Sequence, residues 1–337
     1  MMERRGENII SVESLAIGYI SGKRKMSLLP PVTASAGRGE MVAVIGRNGI
    51  GKSTLLRTIM RLQQGLGGRV LFNGREISQL SRRGIAREAA YISTEIVNAS
   101  NMRVYDLAAL GRYPYTNWMG TVNDADRKAI AHALERTGMT GFSARYISEL
   151  SDGERQRAMI ARALAQETEI LVMDEPTAFL DIAGRYEMIY LLSRLARDGR
   201  TIVFSTHDFN IALDRADKIW LMLDDKLVQG APEDLMLSGS FNHLFNSDIL
   251  GFNAADGNFT MKPVCRGEIS VKGKGIIKEW TLRAAKRTGY LVRETEEKPL
   301  ITAPSVLPGR WTIEGNDYKL EFESIYKLAG WLSGKSV

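Results

Sequence analysis

The chain contains 337 residues, of which 44% are hydrophobic and 25% are charged, and its formal net charge is +6. This composition is typical of a folded protein with one or two domains, and the single cysteine, Cys265, excludes an internal disulfide. No apolar run approaches the ~18 residues needed to span a membrane, and the charged beginning of the chain lacks the apolar core of a secretion signal. We therefore expect a cytosolic protein, and the evenly spread positive charge is only weak evidence for nucleic-acid binding.

The first strong pattern in the chain is a glycine-rich turn between an apolar strand and a helix. Residues 9–19 read as one strand, residues 41–45 as another, and a helical pattern runs from Lys52 to about Arg61. The turn has the spacing G-x-x-x-x-G-K-[ST], with the residues Gly46, Arg47, Asn48, Gly49, Ile50, Gly51, Lys52, Ser53 and Thr54. Glycines at these positions let backbone N–H groups surround phosphate oxygens, and the helix N-terminus adds positive charge. We therefore expect a phosphate-binding loop in which Lys52 reaches the β- and γ-phosphates and the Ser53 hydroxyl holds Mg²⁺.

The later part of the chain alternates helical and apolar segments. Residues from about 95 to 165 are predicted to be helical, with a helix from Asp124 to Thr137 that Gly138 ends. Apolar runs follow at residues 170–173, 201–205 and 219–223, and helical stretches separate them at residues 185–197 and 210–214. This alternation predicts a parallel sheet with helical crossovers.

The pattern changes beyond about residue 240. Short strand-like pieces surround one helical stretch, residues 277–288, and prolines punctuate the later part. We therefore expect residues 245–337 to form a separate small α+β domain.

The apolar run at residues 170–173 ends in two carboxylates, Asp174 and Glu175. At the carboxyl end of a parallel strand beside a phosphate-binding loop, the first carboxylate can hold Mg²⁺ through water. The second points to the other side of the strand end, where it can polarise the water that attacks the γ-phosphate. Taken alone, the same pattern also fits an ordinary strand end.

A second candidate for phosphate contact lies at residues 150–157, which read LSDGERQR. Ser151 and Glu154 have the spacing of a capping box in front of a helix, and Gly153 permits close approach of a backbone. The segment is therefore either an ordinary helix start or an anion site at a helix N-terminus.

Together, the glycine-rich turn, LSDGERQR, MDEPTAFLD at residues 173–181 and STHD at residues 205–208 follow the order found in ATP-binding cassette (ABC) ATPases. The chain resembles the ATPase subunit of an ABC importer over roughly residues 8–240. The resemblance implies an α/β fold, namely a P-loop NTPase of the ABC nucleotide-binding type with a helical subdomain at about residues 95–165. The small α+β domain at 245–337 is an addition to this basic cassette. Residues 110–114, LGRYP, further resemble a segment of importers for iron–siderophores, haem and cobalamin.

The resemblance also implies a role for each matching residue. It assigns adenine stacking to Tyr19 and phosphate binding to the loop from Gly46 to Thr54. Ser151, Gly153 and Glu154 are expected to supply the signature contacts with ATP, and Asp181 a D-loop contact. Mg²⁺ binding is assigned to Ser53 and Asp174, and catalysis to Glu175 with Lys52 and His207.

The partners are likewise implied by the family. Two copies are expected to face head to tail, with ATP and Mg²⁺ between the P-loop of one copy and the signature of the other. Membrane-spanning permease subunits are the expected partners, a periplasmic or surface substrate-binding protein is an indirect one, and nucleic acid is not expected. The chain would lie peripherally at the cytoplasmic side of the membrane and couple ATP hydrolysis to uptake of an iron–siderophore, haem or cobalamin.

Two positions depart from the family pattern. The signature has Asp152 where glycine is usual, a variation that we expect the site to tolerate. At the expected Q-loop, residues 91–95 read YISTE and contain no glutamine. Glu95 offers a long, charged oxygen ligand for Mg²⁺ and is the predicted substitute, with Thr94 or a purely structural loop as alternatives.

Two other classes of function compete with transport. An ABC ATPase that acts on DNA needs a long coiled-coil insertion, but residues 53–150 are too few and show no sustained heptads. Members that act on ribosomes usually carry two cassettes, and this chain has one. A binding module with a degenerate nucleotide site is disfavoured because Lys52, Asp174, Glu175 and His207 are all present.

Overall fold

The computed structural model describes residues 8–22, 24–94, 101–116, 121–244, 250–253, 257–261, 265–293 and 295–334. The chain divides into two compact units, one formed by Met1–Asn246 with Phe252–Asn258 and the other by Ser247–Gly251 with Phe259–Val337. Each unit is described separately below.

The first unit contains both strands and helices. Its strands are β1 (Asn8–Ala16), β2 (Gly18–Ser21), β3 (Arg24–Ser27), β4 (Val32–Gly37), β5 (Met41–Gly46), β6 (Gly67–Phe72), β7 (Arg75–Glu76), β8 (Ala89–Ile92), β9 (Ile170–Met173), β10 (Thr201–Ser205), β11 (Lys218–Met222) and β12 (Leu227–Gly230). Its helices are α1 (Lys52–Ile59), α2 (Arg82–Glu88), α3 (Val104–Leu110), α4 (Asp124–Arg136), α5 (Asp152–Ala165), α6 (Ile182–Arg197), α7 (Phe209–Arg215) and α8 (Pro232–Leu237).

The central sheet of this unit has the order β12-β11-β5-β10-β9-β8 within the described residues. Strands β11, β5, β10, β9 and β8 are parallel, and β12 pairs antiparallel with β11 at the edge. Every residue of β5, β9 and β10 is buried, as expected for parallel strands that are covered on both faces. The predicted parallel sheet with helical crossovers is therefore confirmed.

A second, antiparallel sheet has the order β4-β1-β6-β7. Its buried side chains share one apolar core with α1 and the central sheet, including Ile10, Leu55, Phe72 and Trp220. Strands β6 and β7 form a hairpin in which Asn73 and Gly74 both have positive φ angles. This is the tight turn that an Asn-Gly pair favours.

The region predicted as helical, about residues 95–165, contains α3, α4 and α5 among the residues that the structure describes. Helix α4 follows the predicted helix closely, and Gly138 lies beyond its end with a φ angle of 70°. Helices α3 and α4 both pack against α5. Residues 95–100 and 117–120 lie outside the described part of this region.

The second unit is built on one mixed sheet. Its elements are β15 (Gly267–Lys272), α9 (Gly275–Arg287), β16 (Tyr290–Arg293), β17 (Leu300–Thr302), β18 (Trp311–Glu314), β19 (Lys319–Phe322) and α10 (Ile325–Leu332), preceded by the two-stranded pair β13 (Leu250–Asn253) and β14 (Asn258–Met261) that spans the division. The sheet order is β16-β15-β17-β18-β19. Strands β16, β15 and β17 are parallel, β18 pairs antiparallel with β17, and β19 pairs antiparallel with β18. Its apolar core includes Ile269, Ala285 and Leu328.

The prediction of a single helix in this region was wrong, because α10 is a second one. Its eight residues, IYKLAGWL, are mostly apolar, and so short an apolar run does not distinguish a helix from a buried strand. The hydroxyl of Ser324 accepts a hydrogen bond from the N–H of Lys327 and starts the helix.

Candidate nucleotide site

The glycine-rich turn connects β5 with α1 at the carboxyl end of the central sheet. Gly49 and Gly51 have φ angles of 81° and 109°, in the region that side chains with a Cβ rarely adopt. Gly51 also directly precedes α1, so the first free N–H groups of that helix face the turn. The glycine backbone and the helix start that follows it therefore fit a phosphate-binding loop.

A cleft of about 450 Å³ opens beside this turn. It is lined by Tyr19, Asn48, Gly49, Gly51, Lys52, Ser53, Thr54, Glu175 and His207. The sequence-predicted phosphate loop, its aromatic partner and two predicted catalytic side chains thus meet in one place. They meet because the turn, Glu175 and His207 follow β5, β9 and β10, which lie side by side and in parallel.

Lys52 is buried at the base of the cleft, with its side chain folded back onto the loop. Its Nζ donates to the carbonyl oxygens of Gly46 at 2.9 Å and Arg47 at 3.3 Å. Burial lowers the pKa of Lys52, and the nearby carboxylates of Glu175 and Asp174 oppose this effect. An anionic ligand in the cleft would therefore favour the charged form of this lysine.

The Asp174 carboxylate is buried, and one of its oxygens accepts hydrogen bonds from two hydroxyl groups. Ser53 Oγ donates to Asp174 Oδ1 at 3.0 Å, and Ser205 Oγ donates to the same oxygen at 2.7 Å. Ser53 and Asp174 supply the hard oxygen donors that suit Mg²⁺, so these residues fit the ion that the family implies. Two of the three Mg²⁺ ligands predicted from sequence, Ser53 and Asp174, are therefore in direct contact.

Ser205 is a residue that the sequence reasoning overlooked. Its hydroxyl donates to Asp174 and also accepts the backbone N–H of Glu175 at 2.8 Å, and the side chain is fully buried. One hydroxyl thus fixes both carboxylate residues at the end of β9. The STHD segment contained the signal, because a serine at the end of a buried strand needs a hydrogen-bond partner.

Glu175 has a left-handed backbone, with a φ angle of 46°. Such a conformation is uncommon for residues other than glycine and is often found at functional sites. Its Oε2 lies 3.7 Å from Nδ1 of His207, whose side chain is about half exposed toward solvent. A carboxylate and a histidine therefore lie next to each other in the lining of the cleft.

Tyr19 lies on β2 at the opposite side of the cleft. Its hydroxyl is within hydrogen-bond distance of Thr54 Oγ1, at 3.0 Å, and half of the residue is exposed. The exposed ring is suited to stacking on a flat base, and its polar end is held against the phosphate loop.

The signature segment begins α5 as the capping box that the sequence predicted. The N–H of Ser151 donates to Glu154 Oε2 at 2.8 Å, and the N–H of Glu154 donates to Ser151 Oγ at 3.3 Å. The Ser151 N–H also lowers the pKa of the Glu154 carboxyl, which is therefore ionised at neutral pH.

The D-loop residue Asp181 caps α6, since its Oδ1 accepts the N–H of Gly184 at 2.7 Å. Asp181 lines a second cleft of about 600 Å³ together with Ser151, Gly153 and Glu154. In the described part of the chain, this cleft and the phosphate-loop cleft share no lining residue. The residues predicted to contact ATP are therefore divided between two clefts of one chain.

The expected Q-loop follows β8, the strand next to β9. Thr94 lies two residues beyond β8 and is partly buried, whereas Glu95 lies outside the described residues. The N–H of Asp174 donates to the carbonyl oxygen of Ile92 at 2.9 Å, which keeps the end of β8 beside the predicted magnesium ligands.

Comparisons with known proteins show the family to which this chain belongs. The sequence family described as "ABC transporter" matches residues 29–178, which include the phosphate loop, the signature and both carboxylates. An ABC transporter ATP-binding protein of Methanocaldococcus jannaschii, itself uncharacterised, is 37% identical over 75% of this chain and 87% of its own length. The chain belongs to the ABC transporter ATP-binding proteins.

Other similarities refine this assignment. The iron(3+)-hydroxamate import ATP-binding protein of Bacillus subtilis is 37% identical over 77% of this chain and 94% of its own length. The solved structure of cbiO1 from Clostridium perfringens, part of the ABC transporter complex cbiONQ, matches with a TM-score of 0.60 and 29% identity, covering 70% of this chain and 93% of that one. The family described as "Iron ABC transporter C-terminal domain" matches residues 266–333.

This ABC ATP-binding protein is therefore an ATPase with a P-loop α/β cassette and a small additional C-terminal domain. Nothing in the comparisons supports the alternative of an ATPase that acts on nucleic acid or ribosomes. In the residues that the structure describes, we find no helix with the length and apolar character needed to cross a membrane.

Proposed function

We propose that this protein hydrolyses ATP to drive the import of an iron chelate such as a ferric siderophore. The observation that carries this proposal is the combination of a complete cassette with a match to the iron-transporter C-terminal family at residues 266–333. Similarity to an iron(3+)-hydroxamate import protein supports the same cargo class. Haem and cobalamin are the other members of the cargo class that the sequence favours.

The geometry of the first cleft supports a specific division of roles. Lys52 and the loop N–H groups would bind the triphosphate, and Ser53 with Asp174 would hold Mg²⁺. Glu175 would orient and deprotonate the attacking water, because its carboxylate stands at the rim beside His207. Mg²⁺, when bound, would neutralise charge on the phosphates.

We further propose that two copies face head to tail and share two ATP molecules. This arrangement is supported by the division of the predicted ATP contacts between two clefts that share no lining residue within the described part of the chain. The binding energy of ATP would then favour the closed pair. Permease subunits would receive the movement at the cytoplasmic face of a membrane, with a substrate-binding protein acting beyond them.

The test is purification of the tagged protein from native membranes, in unmodified form and as a Lys52→Ala variant. We expect integral membrane subunits to co-purify with the unmodified protein, and cells that carry only the variant should lose uptake of radioactive iron chelate. Co-purification of ribosomes or DNA instead of membrane subunits would contradict the transport function. Normal iron-chelate uptake with the variant would contradict the proposed cargo.

We also propose that residues 8–240 form the nucleotide-binding domain and that residues 245–337 form an accessory domain that regulates activity or strengthens dimerisation. Every proposed phosphate contact precedes residue 240. A chain that ends at residue 240 should therefore still bind ATP while its hydrolysis rate or dimer mass changes. Loss of ATP binding by a properly folded truncated chain would show that the later residues belong to the site.

A further inference from the structure

Arg185, on the first turn of α6, contacts two loops that lead to different functional residues. Its Nε donates to the carbonyl oxygen of Leu180 at 3.0 Å. A terminal nitrogen of the same guanidinium lies 3.8 Å from Oδ2 of Asp208. Both side chains of this ion pair are partly buried, with relative exposures of 36% and 24%.

Each of these loops is already fixed at the helix that it precedes. Leu180 directly precedes Asp181, which caps α6. Asp208 directly follows His207 and caps α7, because its Oδ1 accepts the N–H of Ile211 at 3.2 Å. The second carboxylate oxygen of Asp208 is the one that faces Arg185. Arg185 therefore contacts both of these capped loops.

We propose that Arg185 is a positioning residue that couples the His207 loop to the Asp181 loop. The inference rests on the proposed head-to-tail dimer, in which His207 faces the ATP on its own chain and Asp181 faces the site completed by the second copy. When the γ-phosphate leaves one site, the His207 loop shifts, and Arg185 transmits that shift through Asp208 and the Leu180 carbonyl. Hydrolysis at one site thereby changes the geometry of the other.

The planar guanidinium suits this role. It can hold a carbonyl and a carboxylate at the same time from a fixed fork of donors. A neutral amide in its place can keep at most a hydrogen bond and loses the ion pair.

The experiment compares Arg185→Gln, Asp208→Asn and the double variant of the full-length protein by steady-state ATP hydrolysis. Asparagine caps helices as well as aspartate does, so Asp208→Asn removes the charge and retains the start of α7. For each single variant we expect the Hill coefficient for ATP to fall toward 1 and kcat to fall roughly three- to tenfold, while KM changes less than about twofold. The double variant should be no worse than either single variant, because both remove the same connection.

The matched control is Arg197→Gln, which removes an exposed charge from the last turn of the same helix. It should leave the Hill coefficient, kcat and KM unchanged. If Arg185→Gln does not fold, as judged by thermal unfolding, Asp208→Asn carries the test. Unchanged cooperativity in the folded variants, or effects that multiply in the double variant, would overturn the role of Arg185 and leave the proposed function intact. If the unmodified protein hydrolyses ATP without cooperativity and forms no ATP-dependent dimer, the proposed dimer itself is wrong, and the coupling with it.

Discussion

Replacing Glu175 with glutamine tests the chemical centre of the proposed site. The amide keeps the size of the side chain but cannot accept a proton from the attacking water. The replacement should leave the backbone in place, because the Glu175 N–H is held by Ser205 Oγ at 2.8 Å and this bond does not involve the side chain. The change therefore isolates the carboxylate.

The expected loss is that of one general base, about 100- to 10,000-fold in kcat, which corresponds to about 2.7 to 5.4 kcal/mol in the barrier. ATP affinity should change little, since the phosphate loop, Lys52 and Asp174 are unaltered. Because the variant retains ATP, it should accumulate as a dimer, which light scattering with ATP and Mg²⁺ would detect. The matched control is Glu135→Gln, an exposed carboxylate on α4 that lines neither cleft. Near-normal hydrolysis by Glu175→Gln would refute the assignment of the base.

Three further predictions concern charge in this molecule. Burial lowers the pKa of Lys52 below the ordinary lysine value of about 10.4, so ATP affinity should weaken as pH rises through that lowered pKa. In equilibrium titrations, Lys52→Arg should remove this pH dependence of ATP affinity. Arg112→Ala should destabilise the first unit by about 3–5 kcal/mol in urea unfolding, because it strands the buried Asp126 carboxylate 2.8 Å away. Burial raises the pKa of Asp126, but the Asn123 N–H and Arg112 lower it, and the net shift is downward. The contribution of this carboxylate to folding stability is therefore present above about pH 4 and is lost as pH falls through the lowered pKa. Glu95→Ala should raise the Mg²⁺ concentration needed for half-maximal hydrolysis more than Thr94→Ala does, and an unchanged Mg²⁺ dependence would exclude Glu95 as a ligand.

The LGRYP segment shows what sequence similarity leaves unexplained. Arg112 proved to be a buried anchor that also donates to the carbonyl oxygen of Ala165 at 2.7 Å and to Glu167 at 2.6 Å, and its guanidinium lies over the ring of Tyr115. It thereby ties the end of α3 to α4 and to the end of α5. These partners are far apart in sequence, and only the tertiary fold reveals that they are shared. A motif noticed for its resemblance to importers is thus accounted for by packing inside the helical region.

Local sequence signals predicted the parts of the site that lie on single loops. The spacing of glycines before Lys52 and the carboxylates after an apolar strand each have a local physical reason, and strand order then brings them together. The contact of Ser205 with Asp174 was not predictable in this way, because it requires knowing that β10 lies beside β9. The second helix of the C-terminal unit was missed for a related reason, because a short apolar run becomes a helix or a strand according to what it packs against.

The segment from Glu175 to Asp181 joins the two halves of the proposed cycle within one short loop. Glu175 and Phe179 both have positive φ angles, 46° and 64°, and conformations of this kind raise the free energy by roughly 1–3 kcal/mol each. Such strain persists only where surrounding contacts hold the backbone, and here Ser205 fixes the beginning of the loop while the cap on α6 and Arg185 fix its end. A loop held at both ends transmits a displacement instead of absorbing it. In the proposed cycle, Glu175 would activate water on one ATP and Asp181 would face the second copy. The fixed loop between them would make the two residues move together, which is the property that an ATPase with two shared sites requires.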